Sequence, residues 1–190
     1  MKALVVSEGK HELGGALLAI IQHVLISAWE FDFDQVSRGN IHAHHGKGQG
    51  YLKRAVRWML EANKRGYDAL ILVIDEDHRS ERVREMDAAQ KNQLSSIRRA
   101  LGVAIRTFDA WMLADEQALT HVLALRIQRQ PDPESIADPK GRCASFLQSS
   151  QRDMSQSEMY RLVAAATAVE TLEARCPKGF APFARRLRAL

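Results

Sequence analysis

Acidic residues follow three of the four apolar segments that the sequence predicts to be β-strands. They are Glu8 after the first, Asp75 and Asp77 after the third, and Asp109 after the fourth. Because ligands of open α/β sheets gather at the carboxyl ends of the strands, we expect these side chains to share one rim. Carboxylate oxygens are the ligands that hard divalent cations prefer. The spacing therefore indicates an acidic metal site.

The pair Asp75 and Asp77 gives the most specific signal. Residues two apart point to the same side as long as the strand geometry continues. Two unpaired carboxylates about 4 Å apart repel by roughly 4 kcal/mol at an effective dielectric constant near 20. A divalent cation would offset this repulsion, and so would protonation or a lysine or arginine partner.

Each acidic residue also has a simpler explanation. Glu8 fits an exposed loop, Glu12 complements the dipole of the first helix, and Asp109 suits a helix N-cap. The metal site is favoured because these residues fall at the same end of one predicted sheet.

The elements that position these residues follow from the spacing of apolar side chains. Strands are predicted over residues 2–7, 29–36, 68–75 and 103–108, with helices over 13–25, 49–65 and 80–101 and another from Asp109 onward. The third strand is apolar on both faces, which is typical of a central parallel strand. Alternating strands and helices predict an α/β fold with a mostly parallel four-stranded sheet flanked by helices. We predict this core over residues 1–128 and a helical C-terminal extension, packed on the core, over residues 129–190.

Composition excludes several classes of protein. The 190 residues are 46% hydrophobic and 26% charged, values typical of a globular chain. Two cysteines, Cys143 and Cys176, are too few for a disulfide framework, and no apolar run is long enough to span a membrane. The first residues do not read as a secretory signal peptide, so we expect a cytoplasmic protein. A net charge of 27 − 23 = +4 permits a nucleic-acid partner without requiring one.

A glycine-rich segment offers a second functional element. Gly46 and Gly48 allow close approach of backbone N–H groups to a phosphate, and Lys47 supplies positive charge. His78, next to Asp77, is a candidate for a phosphate or catalytic contact.

Several ordered motifs resemble one family. The segment Glu8-Gly9-Lys10-His11-Glu12 resembles the Glu-Gly-x-x-Glu opening of Toprim domains, particularly those of OLD-type nucleases, and residues 74–77 resemble the Toprim Asp-x-Asp. The chain also resembles a bacterial domain-of-unknown-function family with a Toprim-like core. Its motifs are matched by Gly46-Lys47-Gly48, by residues 109–115, by Pro139-Lys140 and by residues 176–183. Asp109 departs from the pattern, because the family usually has glutamate there.

The resemblance implies phosphoryl transfer on nucleic acid. Glu8 would be the acid/base or metal-contacting residue, and Mg²⁺ or Mn²⁺, as one or two ions, would be held by Glu8, Glu12, Asp75, Asp77, Asp109 and Asp115. Lys140 would oppose charge that develops on the phosphate. The implied protein is a Toprim-type nuclease, or the nuclease subunit of a complex with a separate ATPase. The alternatives are a non-catalytic module that binds nucleic acid or protein and a hydrolase of small phosphorylated molecules.

Overall fold

A four-stranded parallel sheet forms the centre of the molecule, seen in a computed structural model that describes residues 1–9, 12–25, 28–36 and 50–190. The strands are β1 (Lys2–Ser7), β2 (Glu30–Gln35), β3 (Ala69–Asp75) and β4 (Arg98–Ala104). Their order across the sheet is β2-β1-β3-β4, and every pairing is parallel. The prediction of a four-stranded parallel α/β sheet is therefore confirmed.

Helices cover both faces of this sheet. A π-type turn (Glu12–Ala16) leads into α1 (Leu17–Val24), and later come α2 (Tyr51–Lys64) and α3 (Glu81–Gln90). Alternate residues of each strand point to opposite faces. Leu70 and Leu72 of β3 therefore pack with α2 and α3, whereas Ile71 and Val73 pack with α1.

The direction of the connections changes between β1 and β3. The chain leaves β1 through α1 toward β2 on one side, and later moves from β3 through α3 toward β4 on the other. Neighbouring strands whose connections diverge leave a crevice at their carboxyl ends, which is where open α/β sheets bind ligands. Glu8 and Asp75 stand at this position.

The rest of the chain is helical. The helices are α4 (Asp109–Met112), α5 (Glu116–Leu123), α6 (Pro139–Ser150), α7 (Gln156–Ala166), α8 (Val169–Arg175) and α9 (Phe180–Arg188), with a 3₁₀ turn at Pro133–Ser135. Trp111 of α4 packs against Phe180 and Phe183 of α9, with ring centroids 5.2 and 5.7 Å apart. One hydrophobic cluster thus contains residues from both sides of position 128, while the domain boundary placed there stays a prediction.

Three predicted elements are wrong in their bounds. The helix expected over 80–101 ends at Gln90, and β4 covers Arg98–Ala104 instead of 103–108. The Arg99 guanidinium donates to the carbonyls of Asn92 and Ser95, so a polar residue is held inside the strand by the preceding loop. The helix expected from Asp109 is also broken, because Asp115 caps a new helix.

In the part of the chain that the structure describes, no helix has the length and apolar character needed to cross a membrane.

Candidate functional site

Glu8 and Asp75 lie together at the point where the connections diverge. Glu8 Oε2 accepts a hydrogen bond from the backbone N–H of Asp75 at 2.9 Å. Glu8 Oε1 accepts a hydrogen bond from the hydroxyl of Tyr51, the first residue of α2. The end of β1 is therefore tied to the end of β3 and to one covering helix through a single carboxylate.

Glu12 presents a buried carboxylate to the same rim. Its side chain lies against Gly9, where an added Cβ would be 2.4 Å from Oε2. Oε2 is buried without a hydrogen-bond partner in the described residues. Burial raises the pKa of Glu12 to about 7, and the negative charges of Asp109 and Glu8 add to this rise.

Asp75 is more strongly affected. Its Oδ1 accepts the backbone N–H of Phe108 at 2.7 Å, which favours the ionised form. Burial has the larger effect and raises the pKa of Asp75 to about 8, with added repulsion from Glu12, Glu8 and Asp109. The carboxylates that follow β1, β3 and β4 are therefore close enough to oppose one another's ionisation.

Asp109 is the first residue of α4 instead of the N-cap that the sequence suggested. It is 8% exposed, and its Oδ1 accepts a hydrogen bond from the hydroxyl of Tyr160 in α7. Burial raises the pKa of Tyr160, so this phenol remains a donor. Asp109 thus faces the other rim carboxylates while α7 holds it in place.

Asp77 does not continue the geometry of β3. The strand ends at Asp75, and Asp77 has a left-handed backbone (φ 55°) with a side chain that is 57% exposed. The condition under which Asp75 and Asp77 would project to the same side, a strand that continues through Asp77, is therefore not met. Asp75 turns toward the α4 segment, while the exposed Asp77 carboxylate contacts a buried arginine.

That arginine, Arg82 of α3, was not predicted. Its Nη1 donates to the Asp75 carbonyl at 2.6 Å and to Asp77 Oδ2 at 3.2 Å, and it lies 3.7 Å from Glu8 Oε2. Its guanidinium also stacks over the Tyr51 ring, 4.6 Å from the centroid. Glu8 and Asp77 therefore have an arginine partner. The sequence left this open as one way to offset their charge, besides a divalent cation and protonation.

The remaining predicted residues have other contacts, are exposed, or lie outside the described residues. Asp115 Oδ1 caps α5 by accepting the N–H groups of Gln117 and Ala118, both at 3.0 Å. His78 is exposed and its Nδ1 contacts the Arg106 guanidinium.

Lys140 is exposed in the first turn of α6, three residues before Cys143. The thiol of Cys143 donates to the Asp109 carbonyl at 3.7 Å. The segment with Gly46, Lys47 and Gly48 lies outside the described residues, as do Lys10 and His11.

The donor chemistry suits a hard cation, although a complete binding site is not assembled. Within the described residues, no three histidine, cysteine, aspartate or glutamate side chains are grouped so as to hold one metal ion. Glu12 nevertheless offers a buried Oε2 without a hydrogen-bond partner in the described residues, and the carboxylates of Asp75, Glu8 and Asp109 lie close enough to affect one another's charge. All-oxygen sets of this kind match Mg²⁺ or Mn²⁺ better than softer metals.

Comparison with known proteins gives no relative: the chain matches no protein-family model, no curated protein and no solved structure. The similarity to Toprim domains therefore depends on the motifs of the sequence alone.

Proposed function

We propose that the protein is a metal-dependent enzyme of phosphoryl transfer on nucleic acid, either a Toprim-type nuclease or the nuclease subunit of a complex with an ATPase. The observation that carries this proposal is the group of carboxylates at the carboxyl ends of β1 and β3. There, burial and mutual repulsion raise the pKa of Glu12 to about 7 and that of Asp75 to about 8. A bound divalent cation would relieve this repulsion at neutral pH.

Glu12, Asp75 and Asp109 are the residues proposed to close around Mg²⁺ or Mn²⁺ when it binds, because the described part of the structure does not group them as a ligand set. When bound, the cation would supply an activated water and stabilise negative charge on the phosphate. Tyr51 and Arg82 position Glu8 through the contacts described above. Lys140 is proposed to approach the substrate from the exposed first turn of α6.

Calorimetric titration of Mn²⁺ and Mg²⁺ tests the metal site. We expect the wild type to bind metal and Asp75→Asn to lose that binding, because the amide retains an acceptor for Phe108 but lacks the negative charge. Asp68→Asn is the matched control, since Asp68 lies before the opposite end of β3 and also accepts a backbone N–H, that of Lys2 at 2.7 Å. Loss of binding in both variants, or in neither, would contradict the proposed site.

A cleavage assay on labelled single- and double-stranded DNA and RNA tests the reaction. We expect Mn²⁺-dependent cleavage by the wild type and Asp68→Asn, and none by Asp75→Asn. Nucleotides and small phosphate esters belong in the same assay, because turnover confined to them would instead identify a small-molecule phosphatase.

A non-catalytic binding module is the second candidate, and Arg82 is the observation that favours it. An arginine already neutralises Glu8 and Asp77, so part of the acidic rim needs no metal. Such a module would bind nucleic acid equally well in the wild type and in the Asp75→Asn variant, and it would show no turnover with any metal.

A further inference from the structure

A cavity of about 360 Å³ opens beside the acidic rim, between the N-terminal ends of α2 and α3. It is lined by Gly50, Tyr51, Arg54, Arg79, Glu81, Arg82 and Glu85. Gly50 is the N-cap of α2, and Arg79 comes directly before Ser80, the N-cap of α3. Two helix N-termini, each with partial positive charge, therefore face the same space as three arginines.

The arginines retain unused capacity to bind an anion. In the described part of the chain, neither Arg54 nor Arg79 has a hydrogen bond or an ion pair through its guanidinium. Arg54 stacks on Tyr51 at 4.7 Å, and its Nε is buried without a partner. Arg82 is only 7% exposed, and its Nε is also unpartnered within the described residues. An oxyanion in the cavity would satisfy donors that now have no acceptor.

Glu85 already places a carboxylate in this space. Its Oε2 accepts the backbone N–H of Tyr51 at 2.6 Å, at the start of α2. Its Oε1 lies so close to Gly50 that an added Cβ would be 1.8 Å away. Within the described residues Glu85 forms no ion pair with the arginines around it. Its carboxylate therefore holds the N-terminus of α2 as an anionic ligand would, while leaving the guanidinium groups available.

We propose that this cavity binds a phosphate group of a nucleic-acid strand and that Glu85 limits its affinity. Arg54 and Arg79 supply the charge, and the unused Nε of Arg82 adds a buried donor. Tyr51 and Arg82 also contact Glu8, so the bound phosphate would lie next to the carboxylate rim. The identity of the ligand as nucleic acid rests on the proposed function, whereas the preference for phosphate rests on the cavity itself.

Fluorescence anisotropy with a labelled single-stranded oligonucleotide in EDTA tests the proposal without any metal. We expect Arg54→Gln and Arg79→Gln each to weaken binding about tenfold, because each removes a charged contact to phosphate. Each should also make the salt dependence shallower by about 0.7 in the slope of log affinity against log salt. Glu85→Gln should tighten binding, since the amide still accepts from Tyr51 but no longer repels a phosphate.

Arg57→Gln is the matched control. Arg57 is exposed on α2, three residues from Arg54, and does not line the cavity. It should weaken binding much less than Arg54→Gln does. Circular dichroism and thermal unfolding of every variant would separate a lost contact from a lost fold, and Glu85→Gln provides a gain of affinity that misfolding cannot produce.

The probes also distinguish the source of the phosphate. A preference for a 5′-phosphorylated strand over its 5′-hydroxyl form would identify a terminal phosphate as the ligand. Equal binding of the two strands would identify an internal phosphodiester. Either result supports the proposal. Binding of inorganic phosphate by a protein that does not bind the strand would overturn it, as would equal effects of Arg57→Gln and Arg79→Gln. The protein could also bind the strand in EDTA through these arginines and yet bind no Mn²⁺. That result would support the phosphate site in the cavity and reject only the metal-dependent function.

Discussion

The free energy of unfolding should fall as the pH rises through neutrality, and Asp75→Asn should remove much of that fall. The pKa of Asp75 is about 8 in the folded protein, against an ordinary value of 3.8 for the unfolded chain. The folded state therefore holds a proton that the unfolded state releases. The stabilisation that Asp75 contributes is fully present below its pKa in the unfolded chain. It is lost as the pH rises through its pKa in the folded protein.

The size of the effect follows from proton linkage. Between its two pKa values, one such group lowers the free energy of unfolding by about 1.4 kcal/mol per pH unit. Asp75 alone therefore accounts for a loss of roughly 3 kcal/mol between about pH 5 and about pH 7. Glu12 acts with the same sign, because its pKa rises from 4.5 to about 7. Asp75→Asn should thus flatten the pH dependence without abolishing it.

Urea denaturation in EDTA, repeated across this pH range, measures the effect. The informative quantity is the difference between wild type and variant at each pH, since other titrating groups are common to both proteins. We expect that difference to shift in favour of Asp75→Asn by roughly 3 kcal/mol from about pH 5 to about pH 7. Asp68→Asn again serves as the control and should follow the wild type.

Parallel stability curves for the wild type and Asp75→Asn would refute this reasoning. They would mean that Asp75 is ionised in the folded protein without a metal, and that the N–H of Phe108 offsets the burial of its charge. Saturating Mn²⁺ gives a further check, because a cation at the rim should restore the wild-type stability at high pH and leave Asp75→Asn unchanged.

Three other substitutions test the surroundings of the site by urea denaturation. Tyr160→Phe removes the hydroxyl that donates to buried Asp109 and should lower the free energy of unfolding by about 1–3 kcal/mol. Gly102→Ala would place a Cβ 2.8 Å from the Phe183 ring and should cost about 1–3 kcal/mol through overpacking between β4 and α9. Glu134→Gln should cost about 1–3 kcal/mol, because each oxygen of the buried carboxylate accepts a backbone N–H before α9 and the amide has only one oxygen. Wild-type stability in any of these variants would contradict the contact concerned.

The sheet could be predicted because its strands are apolar enough to be recognised locally. β3 is buried on both faces, and its position in the sequence agrees with the structure within one residue. β4 was misplaced because it begins with Arg98 and Arg99, which continue the charged pattern of the preceding helix. The strand accommodates the charge of Arg99 because its guanidinium donates to the Asn92 and Ser95 carbonyls of the preceding loop.

The candidate site was predictable in part for the same reason. Glu8 and Asp75 follow apolar strands, so the topology of a parallel sheet brings them together. Arg82 and Tyr160 could not be singled out from the sequence. Nothing in the sequence distinguishes either residue from other polar residues of predicted helices, because its role depends on how its helix packs. Asp77 shows the opposite error, since a sequence pattern alone does not reveal where a strand turns into a left-handed loop.

The arrangement of charge divides the acidic rim into two parts with different requirements. Glu8 and Asp77 lie beside Arg82, whose guanidinium already compensates their charge. Glu12 and Asp75 have no such partner within the described residues, and burial, together with repulsion from neighbouring carboxylates, raises the pKa of each. A cation that enters the rim would therefore displace protons from Glu12 and Asp75 and leave the arginine contacts intact. Metal binding should release protons near neutral pH, and the heat of binding should accordingly depend on the ionisation enthalpy of the buffer.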